Sequence, residues 1–315
     1  MKQEDYINAI EQLNREYNEL YSSRVLAKRR RNKRIINYIK TYNFKALFNG
    51  FWLRVTGYNS NSKKNYLPSV ISKKRDGKIV VYTCIVGEYD NLLEPLILTP
   101  DTDYVVYSDN PKIVGKGSAW IYKSIPKEIQ KKCQNNCILI NRYIKMHPKE
   151  LFPKYDLSLY IDGSMRIMSD IASCFYYIND STGLAMHNHR IRDDVYEEAK
   201  ACIMTRKGNK KCIKELMKKY ENERFPHQYG LLEATIIASD LNNPLSYNLL
   251  GEWYQEFIKS DTYRDQLTLT YVLWKNNLEC KDVGILCEVI PKNYKFRRYE
   301  HLLDFKYKLK IENKK

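Results

Sequence analysis

The sequence has no run near the 18 or so apolar residues that a membrane-spanning helix needs, so a helical span is excluded. It also has no Gly-rich phosphate loop of either familiar kind. The apolar stretch ending at Val86 continues into Gly87-Glu88-Tyr89-Asp90, without G-x-G-x-x-G or a G-K-S/T ending. A diphosphate bound there would have to be met by a divalent cation and by Lys or Arg, not by a helix N-terminus. The eight cysteines, at 84, 133, 137, 174, 202, 212, 280 and 287, include no pair of Cys-x-x-Cys. Several lie in apolar runs and no secretory signal is visible ahead of them, so reduced, mostly buried thiols in a cytoplasmic protein are expected. Cys133 and Cys137 are four apart on an expected helix, yet no matching His or Cys pair completes a four-ligand metal site. No internal repeat is visible.

What is present suits a sizeable α/β protein. A chain of 315 residues with 43% hydrophobic residues can hold one large α/β domain plus an appendage, or two small domains. Tyrosine is frequent, with 27 copies against nine Phe, and a phenol can pack at a core edge or line a sugar or nucleotide cleft. The net charge of +16 is uneven: residues 1–70 carry 14 Lys+Arg against 5 Asp+Glu, more than half of the excess. A basic arm suits anionic lipid or nucleic acid.

Within that arm, Tyr6, Ile10, Leu13, Tyr17, Leu20 and Ala27 recur at three- and four-residue steps, with Arg24 in one seam position. This heptad seam predicts a helix that pairs with itself, giving a homo-oligomer, or with the body of the protein. Lys28-Arg29-Arg30-Arg31-Asn32-Lys33-Arg34 then precedes an amphipathic stretch containing Phe44, Leu47, Phe48, Phe51, Trp52 and Leu53. That pairing favours an interfacial membrane helix over a nucleic-acid arm, with a helix packed on the body as the other structural option. The expected organisation is a basic helical arm over 1–58, a linker over 59–76 and a catalytic-type domain over 77–315.

From residue 79 the pattern alternates strands and helices. Strands are expected at 79–86, 104–107, 119–122, 157–161, 183–186 and 229–238, with 283–290 closing the pattern. Helices are expected at 127–147, 193–205, 209–220, 249–258 and 266–274. Three strand ends carry polar residues: Gly87 to Asp90, Ser108 to Asn110, and Asp162-Gly163-Ser164. In an open sheet these line one crevice beyond the carboxyl ends of the strands. Asp162 is the obvious ligand for a hard cation, and Arg142 and Lys145, near the end of the 127–147 helix, are suitable counter-charges. Asp265, opening a helix after Arg264, is either an N-cap or a base. Glu233 inside an apolar strand needs a partner or a catalytic role.

These residues resemble a family. The pieces are Tyr82 to Asp90; Tyr107-Ser108-Asp109; Arg142 to Pro148; Phe152-Pro153 with Tyr160 to Ser164; His187 to Arg190 with Tyr196 to Ala199; Gly230 to Glu233; Trp253 to Glu256; and Arg264 to Leu267. In order over about 75–290, they resemble the GT-A-fold glycosyltransferase-like family, once known only as a domain of unknown function. It includes plant mucilage-related proteins and bacterial members of surface-polysaccharide loci. The resemblance implies a GT-A-like open mixed sheet flanked by helices. The activity it implies is transfer of a hexose or related sugar from a nucleotide-diphosphate donor to a cell-surface glycan or lipid-linked glycan acceptor. Donor contacts would come from Thr83, Val86, Gly87, Tyr89, Asp90, Asp109, Arg142, Lys145, Asp162, Gly163 and Ser164. Manganese or magnesium would be held by Asp162, Ser164 and His301. Asp265 and Glu233 would be catalytic, and His187, His189, Arg190 and Gln266 would meet acceptor or phosphate. The usual Asp-x-Asp pair of the fold is here Asp162-Gly163-Ser164, a single sure carboxylate. That departure motivates the alternative, a catalytically inactive nucleotide-sugar-binding or scaffold protein of a polysaccharide assembly complex. The expected location is the cytoplasm, with the arm on the inner face of the membrane.

Overall fold

A computed structural model describes residues 3–22, scattered positions between 28 and 51, and 67–299 apart from 206 and 288. The apolar stretch 79–85 becomes β1 (Ile79–Ile85), buried at every position but its first, because it lies in the middle of a seven-stranded sheet. The other six strands are β2 (Thr102–Ser108), β3 (Trp120–Ser124), β4 (Leu157–Ile161), β6 (Leu184–Asn188), β7 (Leu232–Asp240) and β8 (Gly284–Ile285), in the order β3-β2-β1-β4-β7-β6-β8. Strand β1 pairs in parallel with β2 and β4, β2 with β3, and β6 with β8. Only β7 runs the other way, antiparallel to β4 and β6. The carboxyl ends of β1, β2, β3, β4, β6 and β8 therefore share one margin. A small ribbon of β5 (Met165–Ile167) and β9 (Phe296–Arg298) lies beside it. The open mixed sheet flanked by helices is the architecture expected from the sequence.

Each face of the sheet carries a core. Tyr82, Tyr160, Trp253 and Phe257 pack with helices on one face, and Val81, Leu159, Phe175 and Phe296 fill the other. The helix expected over 127–147 is two, α2 (Lys127–Lys132) and α3 (Cys137–Met146). Gln134 and Asn135 adopt left-handed backbone, with φ of 52° and 55°, and the Asn136 side chain accepts from the N–H groups of Ile138 and Leu139. An Asn cap stops one helix and starts the next. The break separates Cys133 from Cys137, and no metal-holding group of His, Cys, Asp and Glu occurs among the described residues.

In α1 (Gln3–Ser22) the apolar seam meets the body only in part: the Arg297 guanidinium lies 3.9 Å over the Tyr17 ring and Ile10 is half-buried, but Leu13 and Leu20 are more than 60% exposed, while Asn14 is buried. Asn14 donates to the Tyr294 carbonyl and accepts from Arg297, and Arg15 stacks on the Tyr294 ring. Tyr6, Arg24 and Ala27 fall outside the residues whose side chains are described. Residues 67–76, read from sequence as part of a linker, are tied to the body: Arg75, nearly buried, donates to Asp240 and to Asp180 at 2.5 Å each. No described helix is long and apolar enough to cross a membrane.

On β6, His187 is fully buried against Phe296, and the Asn293 amide donates to its Nε2 at 3.0 Å. Burial lowers its pKa from 6.5 to about 3. A histidine held neutral in the folded chain gives stability that is complete above pH 6.5 and lost as pH falls from 6.5 toward 3. Between pH 7 and 5 the loss should be about 2 kcal/mol, at 1.36 kcal/mol per unit. Urea unfolding should show that slope, and His187→Gln should flatten it by one proton.

Candidate active site

The margin at the strand carboxyl ends is built by four segments. Strand β1 ends in a loop where Gly87 and Glu88 are left-handed, with φ of 67° and 52°, and Asp109 at the end of β2 accepts the Gly87 N–H at 2.9 Å. The loop is thereby folded back over its neighbour strand, with Tyr89 exposed. Strand β4 ends at Asp162, half-buried, whose Oδ1 accepts from the Tyr160 hydroxyl at 2.9 Å and whose N–H donates to the Thr235 carbonyl. Gly163 sits at a close approach: a Cβ on it would lie 3.0 Å from Asp90 Oδ2 and 3.0 Å from Ile85 Cγ1, so a larger residue would have to displace a side chain by a few tenths of an ångström. Asp90 of the first loop therefore abuts the Asp162-Gly163-Ser164 turn.

Behind Asp162 lies a buried charge cluster. Arg142 and Lys145, three apart on α3, both reach Asp265, at 3.0 and 2.8 Å from its Oδ2. Lys145 is 3% exposed and lies over the rings of Tyr160 and Trp253. Burial opposes ionisation of Asp265, but the Arg142 and Lys145 cations outweigh it and hold the carboxyl far below the usual range. Burial disfavours the Arg142 charge, but the Asp265 carboxylate, and after it the charge of Asp162, keep the guanidinium pKa raised. Such a carboxylate has little affinity for a proton and serves as a counter-ion that aims Arg142 and Lys145. Of the two sequence readings, N-cap or base, the N-cap does not hold: Asp265 begins the 3-10 turn Asp265–Leu267, and its side chain turns to the two cations.

Residues 135–289 match the family model of the TOD1/MUCI70, glycosyltransferase-like domain. Over that segment the chain is similar to this family. The match takes in Arg142, Lys145, Asp162 and Asp265, whereas β1, β2 and the first loop, with Asp90 and Asp109, lie ahead of it. Comparison with curated proteins finds no significant match. Among solved structures the chain is similar to the bifunctional glycosyltransferase WbbM, apo, with a TM-score of 0.40 and 9% identity, over 67% of this chain and 40% of that one. It is also similar to mouse xyloside xylosyltransferase 1, apo, with a TM-score of 0.36 and 9% identity, over 65% of this chain and 84% of that one.

Within the TOD1/MUCI70 segment and the strands before it, the expected site residues fall into three groups. Gly87, Tyr89, Asp90, Asp109, Arg142, Asp162 and Gly163 stand at or beside the crevice. Glu233 joins them from β7: half-buried, it pairs with Arg298 at 2.7 Å and is two residues from Thr235. Thr83, Val86 and His187 are buried within strands or against them, as the near-continuous burial of β1 and β6 dictates. Ser164 is also buried, with its carbonyl taking the Tyr299 N–H, and Lys145 lies behind the surface as Asp265's partner. His189 and exposed Arg190 lie just beyond β6, and Gln266 donates its amide to the Leu232 carbonyl. His301 lies outside the described residues. The approach of Asp90 to Gly163 and the pairing of Glu233 with Arg298 have no local sequence signal, since each joins segments more than 60 residues apart.

Replacing Asp265 by Asn should leave Arg142 and Lys145 without their shared anion and cost about 3 kcal/mol in denaturant unfolding. A change below about 0.5 kcal/mol, the range of an ordinary surface substitution, would contradict the counter-ion role.

Proposed function

We propose that the protein is a nucleotide-sugar-dependent glycosyltransferase that moves a hexose or related sugar from a nucleoside diphosphate to a surface-glycan acceptor. The observation that carries this reading is that Asp90 packs against Gly163, next to Asp162 at the carboxyl end of β4, with Arg142 within electrostatic reach of Asp162, on the margin where an open sheet binds ligands. The first loop, held by Asp109, offers its backbone and Tyr89 to the nucleoside. The crevice fits a hard cation: two carboxylates from different loops, with diphosphate and water filling the remaining positions, is how magnesium-type ions are commonly held. Asp162 and Asp90 would hold it, and its charge would offset that of the leaving diphosphate.

The bond that breaks joins the sugar's anomeric carbon to the diphosphate oxygen, which leaves with the electron pair. Arg142, aimed by Asp265, places a fixed positive charge beside that developing charge without reorganising. The new bond forms from an acceptor hydroxyl oxygen, and its proton needs a base. Glu233 suits this better than Asp265, because it is half-buried with a half-exposed partner, Arg298, whereas Asp265 is held by two cations. At the described positions of the arm, Ile36, Ile39, Phe44, Phe48 and Phe51 are exposed by 50–62%. With the neighbouring basic cluster they support contact with an anionic lipid surface, where a lipid-linked acceptor would be found.

Asp162→Ala should abolish UDP release from a panel of UDP-sugars while leaving the circular dichroism and unfolding transition in place. Asp90→Ala should weaken manganese binding, read by electron paramagnetic resonance, at least tenfold. Full turnover in Asp162→Ala would remove that residue from the mechanism.

A further inference from the structure

A second cavity opens on the same sheet margin, beyond β6 and away from the first loop. It measures about 230 Å³ and is lined by His189, Arg192, Gln228, Tyr229 and Lys281 among others. Because β6 runs parallel to β4, its outgoing residues reach the margin that carries Asp162. Glu233 stands opposite His187 in the β6–β7 register, and the His189 N–H donates to the Leu231 carbonyl at 2.9 Å. Along β7, Glu233 thus lies between Thr235, bonded to Asp162, and the cavity wall at Leu231.

We propose that this cavity is the acceptor subsite and that it takes one uncharged sugar ring, not a phosphate, with the reacting hydroxyl directed toward Glu233. The assignment rests on the sugar-transfer reading and deepens it. Size is the first argument: drug-sized ligands occupy roughly 300–1,000 Å³, so this space suits a single ring. Charge is the second. Arg192 is bonded to Glu198 at 2.7 Å and Lys281 to Glu279 at 2.9 Å, so the wall's cations are offset by acids. Burial also holds His189 below its ordinary pKa, which makes it neutral near pH 7. A phosphate would find no surplus positive charge there. The third argument is construction. Gln228 is kept in left-handed backbone, φ 56°, by its N–H bond to the buried Asp194 carboxylate at 2.9 Å. Tyr229 is fixed by its hydroxyl on the Leu278 carbonyl at 3.0 Å and by an edge contact with Phe225. An amide on a strained turn next to an immobilised aromatic ring gives a sugar both hydrogen bonds and an apolar face.

Saturation-transfer NMR on the full chain, with methyl glycosides of glucose, galactose and N-acetylglucosamine and with glucose 6-phosphate, tests this directly. At least one methyl glycoside should bind. Its affinity should fall at least tenfold in Leu67→Trp, which fills the cavity, and in the rim variant Gln228→Ala/Lys281→Ala. Manganese-dependent UDP binding by calorimetry should stay within twofold in both. The subsite is overturned if no methyl glycoside binds, if binding survives both variants, or if only the phosphorylated sugar binds. Absence of UDP binding by the unaltered chain would instead remove the sugar-transfer reading, a result distinct from failure of the cavity.

Discussion

Asp265 Oδ2 is shared by two cations from one helix, Lys145 at 2.8 Å and Arg142 at 3.0 Å. The cluster ties α3 to the turn before α8 (Leu269–Lys275) and sets both against β4, whose Tyr160 lies beneath Lys145. Its geometry is held from all sides. Tyr82 on β1 donates to the Lys145 carbonyl at 2.8 Å, and the Trp253 indole on α7 (Pro244–Ser260) donates to the Asp265 carbonyl at 3.0 Å. Charges desolvated to this degree are costly unless each is paired, so the arrangement has little freedom to relax. A fixed guanidinium beside Asp162 is the result.

That constraint also assigns the acids. Among the carboxylates near the margin, the surroundings of three separate their roles. Asp265 is spent on two buried cations, Asp162 takes a hydroxyl hydrogen bond and faces the crevice beside Asp90, and Glu233 keeps a solvent-side partner. At Gly163 the turn after β4 and the first loop approach closely, with Asp90 Oδ2 3.0 Å from where a Cβ on 163 would lie. This approach of two acidic loops joins residues 73 apart, which a linear motif cannot express.

The strand pattern is largely legible in the sequence because a parallel, doubly covered strand such as β1 reads as a near-continuous apolar run. Asp162 is legible as the acid that follows an alternating, strand-like stretch. Arg142 and Lys145 are legible as counter-charges from their place near the end of the 127–147 helix. The break at Asn136 turned on a local cap inside an otherwise periodic stretch. The rest of what could not be read was long-range. Of the α1 seam, Tyr17 meets Arg297 of the body, and Asn14 and Arg15 beside it add polar and cation–ring contacts to Tyr294 and Arg297. The cavity beyond β6 is assembled from 67, 188–189, 192–193, 228–231 and 279–281, and only the fold brings these together.

The most direct measurement is the position of a nucleoside diphosphate and its metal in a crystal soaked with UDP and manganese. The account predicts an anomalous manganese peak between Asp90 and Asp162, with the diphosphate reaching toward Arg142 and the uridine against the loop held by Asp109. Manganese and UDP bound at another edge of the sheet, with Asp162 and Arg142 untouched, would contradict it.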